Sequence, residues 1–371
     1  MKRVLHISAN QFPPLTIEHP TKKIWKELSI AFEAYHVLAR SKTNKSCYSK
    51  ENNIHLHLLP KIGNRNRSFF ISGLSLFWLI PRYKIDGLLV QSAIFGGIYA
   101  LLASKLFRIP YMVEIHGEEY FRILAKEKIW HIPLSLMIRA VYKHAHKIRS
   151  LNSKMTEKLA AFSFVDNVVE IPNRVDLSLF NERKKDFAIG DTIHLVSVGS
   201  FVPAKNYEKL IIMLCRSELN FKLSLIGGGK LKPDYLKLID SLGAGNRVEL
   251  TDRLDQKTMA KRIIEADFYI QYSVSEGMPR SILEAMALQM PIISSNAGSI
   301  AGIIKSGENG LLTTVNDAQA FILAIKELAK DPESRERIAK AAFIDVKKNY
   351  SWETVFHTYR SELTEMNYEN S

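Results

Sequence analysis

Cysteine is nearly absent: Cys47 and Cys215 are the only two in 371 residues. Two are too few for a disulfide framework or a cysteine-built zinc site, and they point to a reducing, cytoplasmic location. Long apolar runs are missing as well. The most apolar stretch, residues 69–80 (FFISGLSLFWLI), falls short of the roughly 20 residues that a membrane-spanning helix needs. The opening MKRVLHISANQF has no extended apolar segment after Lys2 and Arg3. It reads as a strand and not as a secretory signal. No Gly-x-Gly-x-x-Gly follows that strand, which argues against a nicotinamide-dependent dehydrogenase. No Asp-x-Asp suited to a diphosphate-bound metal is present, nor any internal repeat or low-complexity tract.

Acidic residues are in deficit. Lys and Arg number 51 against 38 Asp and Glu, a net charge of +13. The whole excess lies in residues 1–178, and the remainder balances. It is strongest around Lys61, Arg65 and Arg67 and along Arg139, Lys143, Lys147 and Arg149. A basic half and a neutral half suggest different partners. An anionic membrane surface on the inner face of the cytoplasmic membrane is one partner for the basic half, through residues 61–84 and 139–149. A buried helix with basic ends and a solvated helix face are the plain alternatives. No nucleic-acid recognition motif accompanies the charge, so nucleic acid is not an expected partner.

A chain of this length is expected to form two domains. Strand and helix patterns alternate along it. Strands are expected at Arg3–Ile7, Asn53–Leu59, Asp86–Val90 and Tyr111–Ile115, with helices at Lys22–Leu38 and Phe95–Phe107. A polar break at Asn181–Asp186 reads as a linker. Alternation restarts with strands at Thr192–Val198, Phe221–Ile226, Phe268–Tyr272 and Pro291–Ser294, and helices at Tyr207–Cys215, Ala318–Ala329 and Ser351–Met366. The fold class is therefore α/β, as two doubly wound Rossmann-like domains with the site expected in the cleft between them.

The most informative stretch is SEGMPRSILEAMAL, residues 275–288. Pro279 suits a first helical position, where its missing N–H is no loss. The residues after it favour helix. A helix start offers free N–H groups and a positive dipole end to a phosphate. Glu276 and Glu284 flank that end. Two carboxylates beside a phosphate suit hydroxyl-rich neighbours, since an ionised carboxylate only accepts hydrogen bonds. A sugar nucleotide has that pattern.

Further pieces follow in order: His116-Gly117; Pro172-Asn-Arg-Val-Asp176; Gly199-Ser-Phe-Val-Pro-Ala-Lys205-Asn206; Gly227-Gly228-Gly229; Glu276…Glu284; and Asn309-Gly-Leu-Leu312. With them the chain resembles the retaining glycosyltransferases of GT-B fold, family 4, most strongly from about residue 168 to 360. The resemblance implies an acceptor-binding domain at 1–178, a donor-binding domain at 179–351, and a C-terminal segment, 352–371, returning to the first. It implies transfer of a sugar from a UDP- or GDP-sugar to a glycan or lipid-linked acceptor in bacterial surface-polysaccharide synthesis, with retention and with no metal or other cofactor.

Roles come with the resemblance. Lys205 would hold the donor diphosphate, with Gly199 and Ser200 beside it. Glu276 would accept from the sugar hydroxyls. Gly277, Met278 and Pro279 would line sugar and distal phosphate, and Arg280 would add charge. Glu284 would bind the ribose. Gly227 and Gly228 would let backbone approach the nucleotide, and His116 would stand near the reacting centre. Three positions depart from the family pattern: Ser200 replaces an arginine, the stretch Ser8–His19 lacks the family's glycines, and Ala301-Gly302 replaces Pro-Glu. Ser200 and the altered N-terminal loop leave open a non-catalytic sugar-nucleotide-binding partner of a glycan assembly complex, and a sugar-nucleotide epimerase of the same fold is a nearer rival. A phosphorylase would need a cofactor lysine for which nothing argues.

Overall fold

Strand β1 (Arg3–Phe12) is the axis of the first sheet, with Val4, Leu5 and Ile7 almost fully buried. The chain is described by a computed structural model over residues 2–43, 45–60 and 73–366. Helix α1 (Pro20–Ser29) leads to β2 (Ala34–Ser41), β3 (Cys47–Glu51) and β4 (Ile54–Leu59). Next come α2 (Leu76–Tyr83), β5 (Gly87–Val90), α3 (Ile98–Phe107), β6 (Tyr111–Glu114), α4 (Glu119–Leu124), α5 (His131–Lys143), β7 (Lys147–Ser150), α6 (Ser153–Ala160) and β8 (Val168–Glu170). The eight strands run in the order β3-β4-β2-β1-β5-β6-β7-β8, and all neighbouring pairs are parallel except β3 with β4.

The second sheet begins at β9 (Ile193–Val198). It is followed by α7 (Tyr207–Arg216), β10 (Phe221–Ile226), α8 (Lys232–Ser241), β11 (Val248–Thr251), α9 (Gln256–Ile264), β12 (Phe268–Gln271), α10 (Arg280–Ala287), β13 (Ile292–Ser295) and β14 (Leu311–Thr313). Helices α11 (Ala318–Lys330), α12 (Pro332–Asn349) and α13 (Trp352–Thr364) close the chain. The order is β11-β10-β9-β12-β13-β14, all parallel. Counted within the sheet this is 3-2-1-4-5-6, the Rossmann order, whose ligand crevice opens where β9 and β12 diverge. Leu195, Phe201, Leu223, Phe268 and Ile270 form the core beneath that point.

Two compact units result: residues up to Ile171 together with those from Phe356, and Pro172–Val355. The C-terminal helix thus rejoins the first unit. Arg360 Nη1 donates to the Glu27 carbonyl at 3.2 Å, and Lys147 pairs with Glu362. Pro172–Asp176 belong to the second unit, where Val175 bridges to Ser351. The expected linker at Asn181–Asp186 is no free tether. Lys184 is buried and its Nζ donates to the Ala266 carbonyl at 2.8 Å, while Arg183 stacks on Phe343.

Two local expectations are corrected. The helix expected over Lys22–Leu38 ends at Ser29, and Ala34–Ser41 is a central strand. That strand is buried on both faces, so its apolar run carries no period-2 signature and imitates a buried helix. The basic series Arg139–Arg149 is not one helix face. Helix α5 stops at Lys143, Lys147 opens a strand, and Arg149 is buried. Residues 61–72 of the expected membrane segment lie outside the described residues. Among the described residues no helix is long and apolar enough to cross a membrane.

Candidate active site

Two loops leave the C-terminal ends of β9 and β12 and meet in the second unit. The β9 loop carries Gly199, Ser200 and a short 3-10 turn, Pro203–Lys205. The β12 loop carries Glu276 and runs into α10. The Val274 amide donates to the Ala204 carbonyl at 2.9 Å and ties one loop to the other. At the junction Lys205 Nζ lies 2.8 Å from Glu276 Oε1. Gln271 Nε2 donates to the same oxygen at 3.0 Å and Ser273 Oγ at 2.7 Å. Three donors therefore converge on Oε1. Glu276 Oε2 has no hydrogen-bond partner among the described residues and is free to accept. Lys205 and Glu276 side chains are only 13% and 12% exposed, so their attraction is little screened.

The loops approach closely enough to exclude side chains at set positions. A Cβ on Gly227 would stand 1.9 Å from the Gly199 carbonyl oxygen, so glycine there serves backbone packing between the β9 and β10 loops. Gly228 has open space, with nothing nearer than Arg253 Cγ at 3.9 Å. Gly298 has φ +62, and a Cβ there would meet the Glu276 carbonyl at 1.9 Å. The neighbouring Ser299 amide donates to that carbonyl at 3.2 Å, so the β13 loop holds the Glu276 backbone from below.

Helix α10 starts at Arg280, with Pro279 as its N-cap at φ −70, ψ 117. The expected first helical position for Pro279 is thus one residue early. Proline there contributes no N–H, and the free amides are those of Arg280 and Ser281, since the Ile282 amide donates to the Pro279 carbonyl at 3.2 Å. Met278 is buried. Its carbonyl accepts from Asn173 Nδ2 at 2.7 Å, so the Pro172–Asp176 segment fastens the loop. Gly277 is half-buried and Arg280 is exposed. Arg280 makes no ion pair among the described residues.

Glu284 sits one turn further on, half-buried, between the buried side chains of Leu283 and Ala285. No described group hydrogen-bonds its carboxyl. Burial pushes its pKa up to about 7, against a smaller opposing pull from Arg280. A desolvated carboxylate without donors is costly unless a partner arrives.

The first unit holds the other predicted site residue. His116 follows β6 and is 42% exposed. Its Nε2 lies 2.9 Å from Oε2 of buried Glu114. Arg149 Nη1 donates to Glu114 Oε1 at 2.6 Å, Tyr359 of α13 donates its hydroxyl to the same oxygen, and Arg149 Nε donates to the Ile171 carbonyl at 2.8 Å. Burial alone would raise the Glu114 pKa. The Arg149 charge, helped by His116, outweighs it and holds the carboxyl well below its usual range. An ionised Glu114 only accepts, so Nε2 of His116 carries a hydrogen and donates it. Nearby His6 is fully buried and kept neutral, its pKa lowered to about 4 by burial.

Sequence reasoning found Lys205, Glu276, Glu284 and Gly199, and the structure gathers them in one unit. It missed Gln271, Ser273 and Gly298, which have no motif of their own, and Glu114 with its distant partners. Among the described residues no group of three or more His, Cys, Asp or Glu side chains could hold a metal ion.

Comparison with known proteins bears on these loops directly. Residues 180–344 match the family model for glycosyl transferases group 1. An uncharacterized glycosyltransferase of Methanocaldococcus jannaschii is 25% identical over 336 residues, 86% of each chain. The lipopolysaccharide core biosynthesis glycosyltransferase LpsE of Rhizobium meliloti is 27% identical over 178 residues, 48% of this chain and 52% of its own. The sucrose-phosphate synthase of Thermosynechococcus elongatus has a TM-score of 0.82 at 17% identity, over 99% of this chain and 100% of its own. Anabaena HepE in complex with UDP-glucose has a TM-score of 0.75 at 15% identity, with the same coverage.

Proposed function

We propose that this chain, whose residues 180–344 match glycosyl transferases group 1 and whose fold is GT-B, transfers a sugar, with retention, from a UDP- or GDP-sugar to a glycan or lipid-linked acceptor of a bacterial surface polysaccharide. The observation carrying the reading is the Lys205–Glu276 pair beside unpartnered Glu284 at the start of α10. One cation and a helix start can take a diphosphate, and two carboxylates with free acceptor oxygens can take the sugar and the ribose. HepE was solved with UDP-glucose, and LpsE acts in lipopolysaccharide core synthesis, which supports both donor and acceptor class.

In the proposed reaction the C1–phosphate bond breaks and the acceptor oxygen bonds to C1 on the same face. The acceptor proton passes to the leaving phosphate. Positive character grows on the sugar and negative charge on the diphosphate. Lys205 and the amides of Arg280 and Ser281 stabilise the leaving charge. Lys205 turns from Glu276 Oε1 toward the diphosphate, while Gln271 and Ser273 keep the carboxylate in place. His116 enters by resemblance alone. The reading assigns no charge-neutralising role to a metal, so activity should survive chelation. Loss with EDTA and recovery with magnesium would count against that.

The direct test is thermal stabilisation across UDP-, GDP- and ADP-sugars. A donor at 100 times its Kd adds about 2.7 kcal/mol. A shift with none of them overturns the reading. Release of modified sugar without an acceptor would favour an epimerase.

Glu284 gives a pH prediction. Its folded pKa is near 7 against an ordinary 4.5. Between those values the folded chain holds a proton that the unfolded chain has lost. Its contribution to stability therefore falls as pH rises, and the cost is complete above about 7. Glu284→Gln should stabilise the free protein by about 1–2 kcal/mol above neutral pH, with the gain vanishing below 4.5. Hydroxyl donors favour the ionised form, so wild-type donor affinity should rise with pH toward 7 and then level off. A pH-independent affinity in the wild type would remove Glu284 from the nucleotide site.

A further inference from the structure

Helices α2, α3 and α5 of the first unit lie side by side, α3 touching both others. Together they contain no aspartate or glutamate. Their charged residues are Arg82, Lys105, Arg139 and Lys143, and none of these pairs with a carboxylate among the described residues. The same helices expose large apolar side chains: Trp78 is 61% exposed, Leu106 67% and Leu136 59%. Just before α5, Ile129 is 85% exposed, with Trp130 beside it. The exposure follows helical spacing. Leu102 and Leu106 are one turn apart on α3, and Ile132, Leu136, Arg139 and Lys143 form one stripe along α5. Between α3 and α5 opens a cleft of about 890 Å³, lined by Lys105, Arg139, Lys143 and His144, with Asp166 as its one acidic wall residue. Arg139 lies over the Phe162 ring there, 5.6 Å from its centre.

A contiguous apolar face of this kind marks an interaction site. A two-fold contact with a second copy would set like charges against one another, since such an interface meets itself. A small soluble anion would fill the cleft and leave Trp78, Leu106 and Leu136 in water. An anionic bilayer supplies an apolar layer and negative headgroups together, matching both halves of the face. We infer that this face docks on an anionic lipid bilayer, with Trp78, Leu106 and Leu136 entering the interfacial layer and lipid phosphates meeting Lys105, Arg139 and Lys143. Of the basic series expected at 139–149, only the first two members take part, because Lys147 is paired with Glu362 and Arg149 is buried. The inference rests on the transferase reading only in what the bilayer would present, a lipid-linked acceptor.

The test is co-sedimentation of the full chain with vesicles of phosphatidylglycerol in phosphatidylcholine and with vesicles of phosphatidylcholine alone. Binding should require the anionic lipid and weaken in high salt. The triple change Lys105→Glu, Arg139→Glu, Lys143→Glu should lower vesicle affinity on the order of 100-fold. Trp78→Ser with Leu106→Ser and Leu136→Ser should lower it too, while leaving the salt dependence. Five of the six positions are exposed and Arg139 is half-buried over Phe162, so melting temperatures should stay near wild type apart from a small loss at Arg139. The milder pair Lys105→Gln, Lys143→Gln serves if the reversal unfolds the chain. Equal binding to neutral vesicles, or binding unchanged in both sets, overturns the inference. Displacement by inorganic phosphate at matched ionic strength reassigns the cleft to a soluble phosphate and also overturns it. Donor stabilisation measured without vesicles should be unaffected by these changes, and its absence in wild type would indict the transferase reading instead.

Discussion

Lys205→Ala is expected to lower sugar transfer by about 10²–10³-fold, the usual cost of removing one group aimed at charge that develops in a transition state. The fold should survive the change. Glu276 keeps Gln271 at 3.0 Å and Ser273 at 2.7 Å as donors, so its carboxylate is not left bare. Affinity for the nucleoside diphosphate should fall as well, because among the described residues the lysine is the one cation paired with Glu276. Lys205→Arg should rescue poorly. The lysine stem passes Gly199, whose added Cβ would already lie 2.7 Å from Lys205 Cε, and a planar guanidinium needs more room there. Glu276→Ala should separate the two functions, abolishing transfer while diphosphate still binds. Steady-state kinetics with calorimetry of diphosphate binding reads both. Wild-type turnover in either alanine variant removes that residue from the reaction.

Arg149→Ala should destabilise the first unit by about 3–5 kcal/mol, since it leaves Glu114 charged and buried without its main partner. Tyr359→Phe, which removes the hydroxyl that Glu114 and Arg149 share and keeps the ring under the guanidinium, should cost only about 1–2 kcal/mol. The pH dependence has a definite sign. Glu114 is depressed in the folded chain, so its stabilisation is present above the ordinary carboxylate range and is lost as pH falls through it. Arg149→Ala should flatten that acid limb. Denaturant unfolding followed at several pH values measures both effects. An Arg149→Ala protein as stable as wild type would show that the buried pair is not what secures this end of the sheet.

The parallel architecture is legible because strands and helices alternate in composition, and the loops of the candidate site are legible because Lys205, Glu276 and Glu284 each sit inside a short local pattern. What supports them is not. Gln271 and Ser273 contact Glu276 from the end of β12 and the turn after it, and Gly298 does so from the next strand's loop. A satisfied carboxylate has no sequence signature. Strand β2 imitates a helix in sequence because burial on both faces erases alternation. In sequence Arg149 is indistinguishable from surface charge, since arginine is mostly exposed. Its partners Glu114 and Tyr359 lie far away in the chain, and only tertiary structure brings a buried charge its compensation. The reverse held for helices α2, α3 and α5. Their lack of acidic residues was present in the sequence, but it gained meaning once the three helices were known to be neighbours.

The return of α13 to the first unit has a consequence for synthesis. Tyr359 and Glu362 are translated only after the entire second unit, roughly ten seconds or more behind Glu114 and Lys147 at ordinary elongation rates. Until then the nascent first unit holds Glu114 and Arg149 against an open edge. Its last helix arrives only as the second Rossmann sheet is completed. A ribosome that stops early therefore releases a first unit with an exposed ion pair and uncovered apolar surface, a natural substrate for proteolysis, so that full-length translation becomes a condition of the basic half's stability.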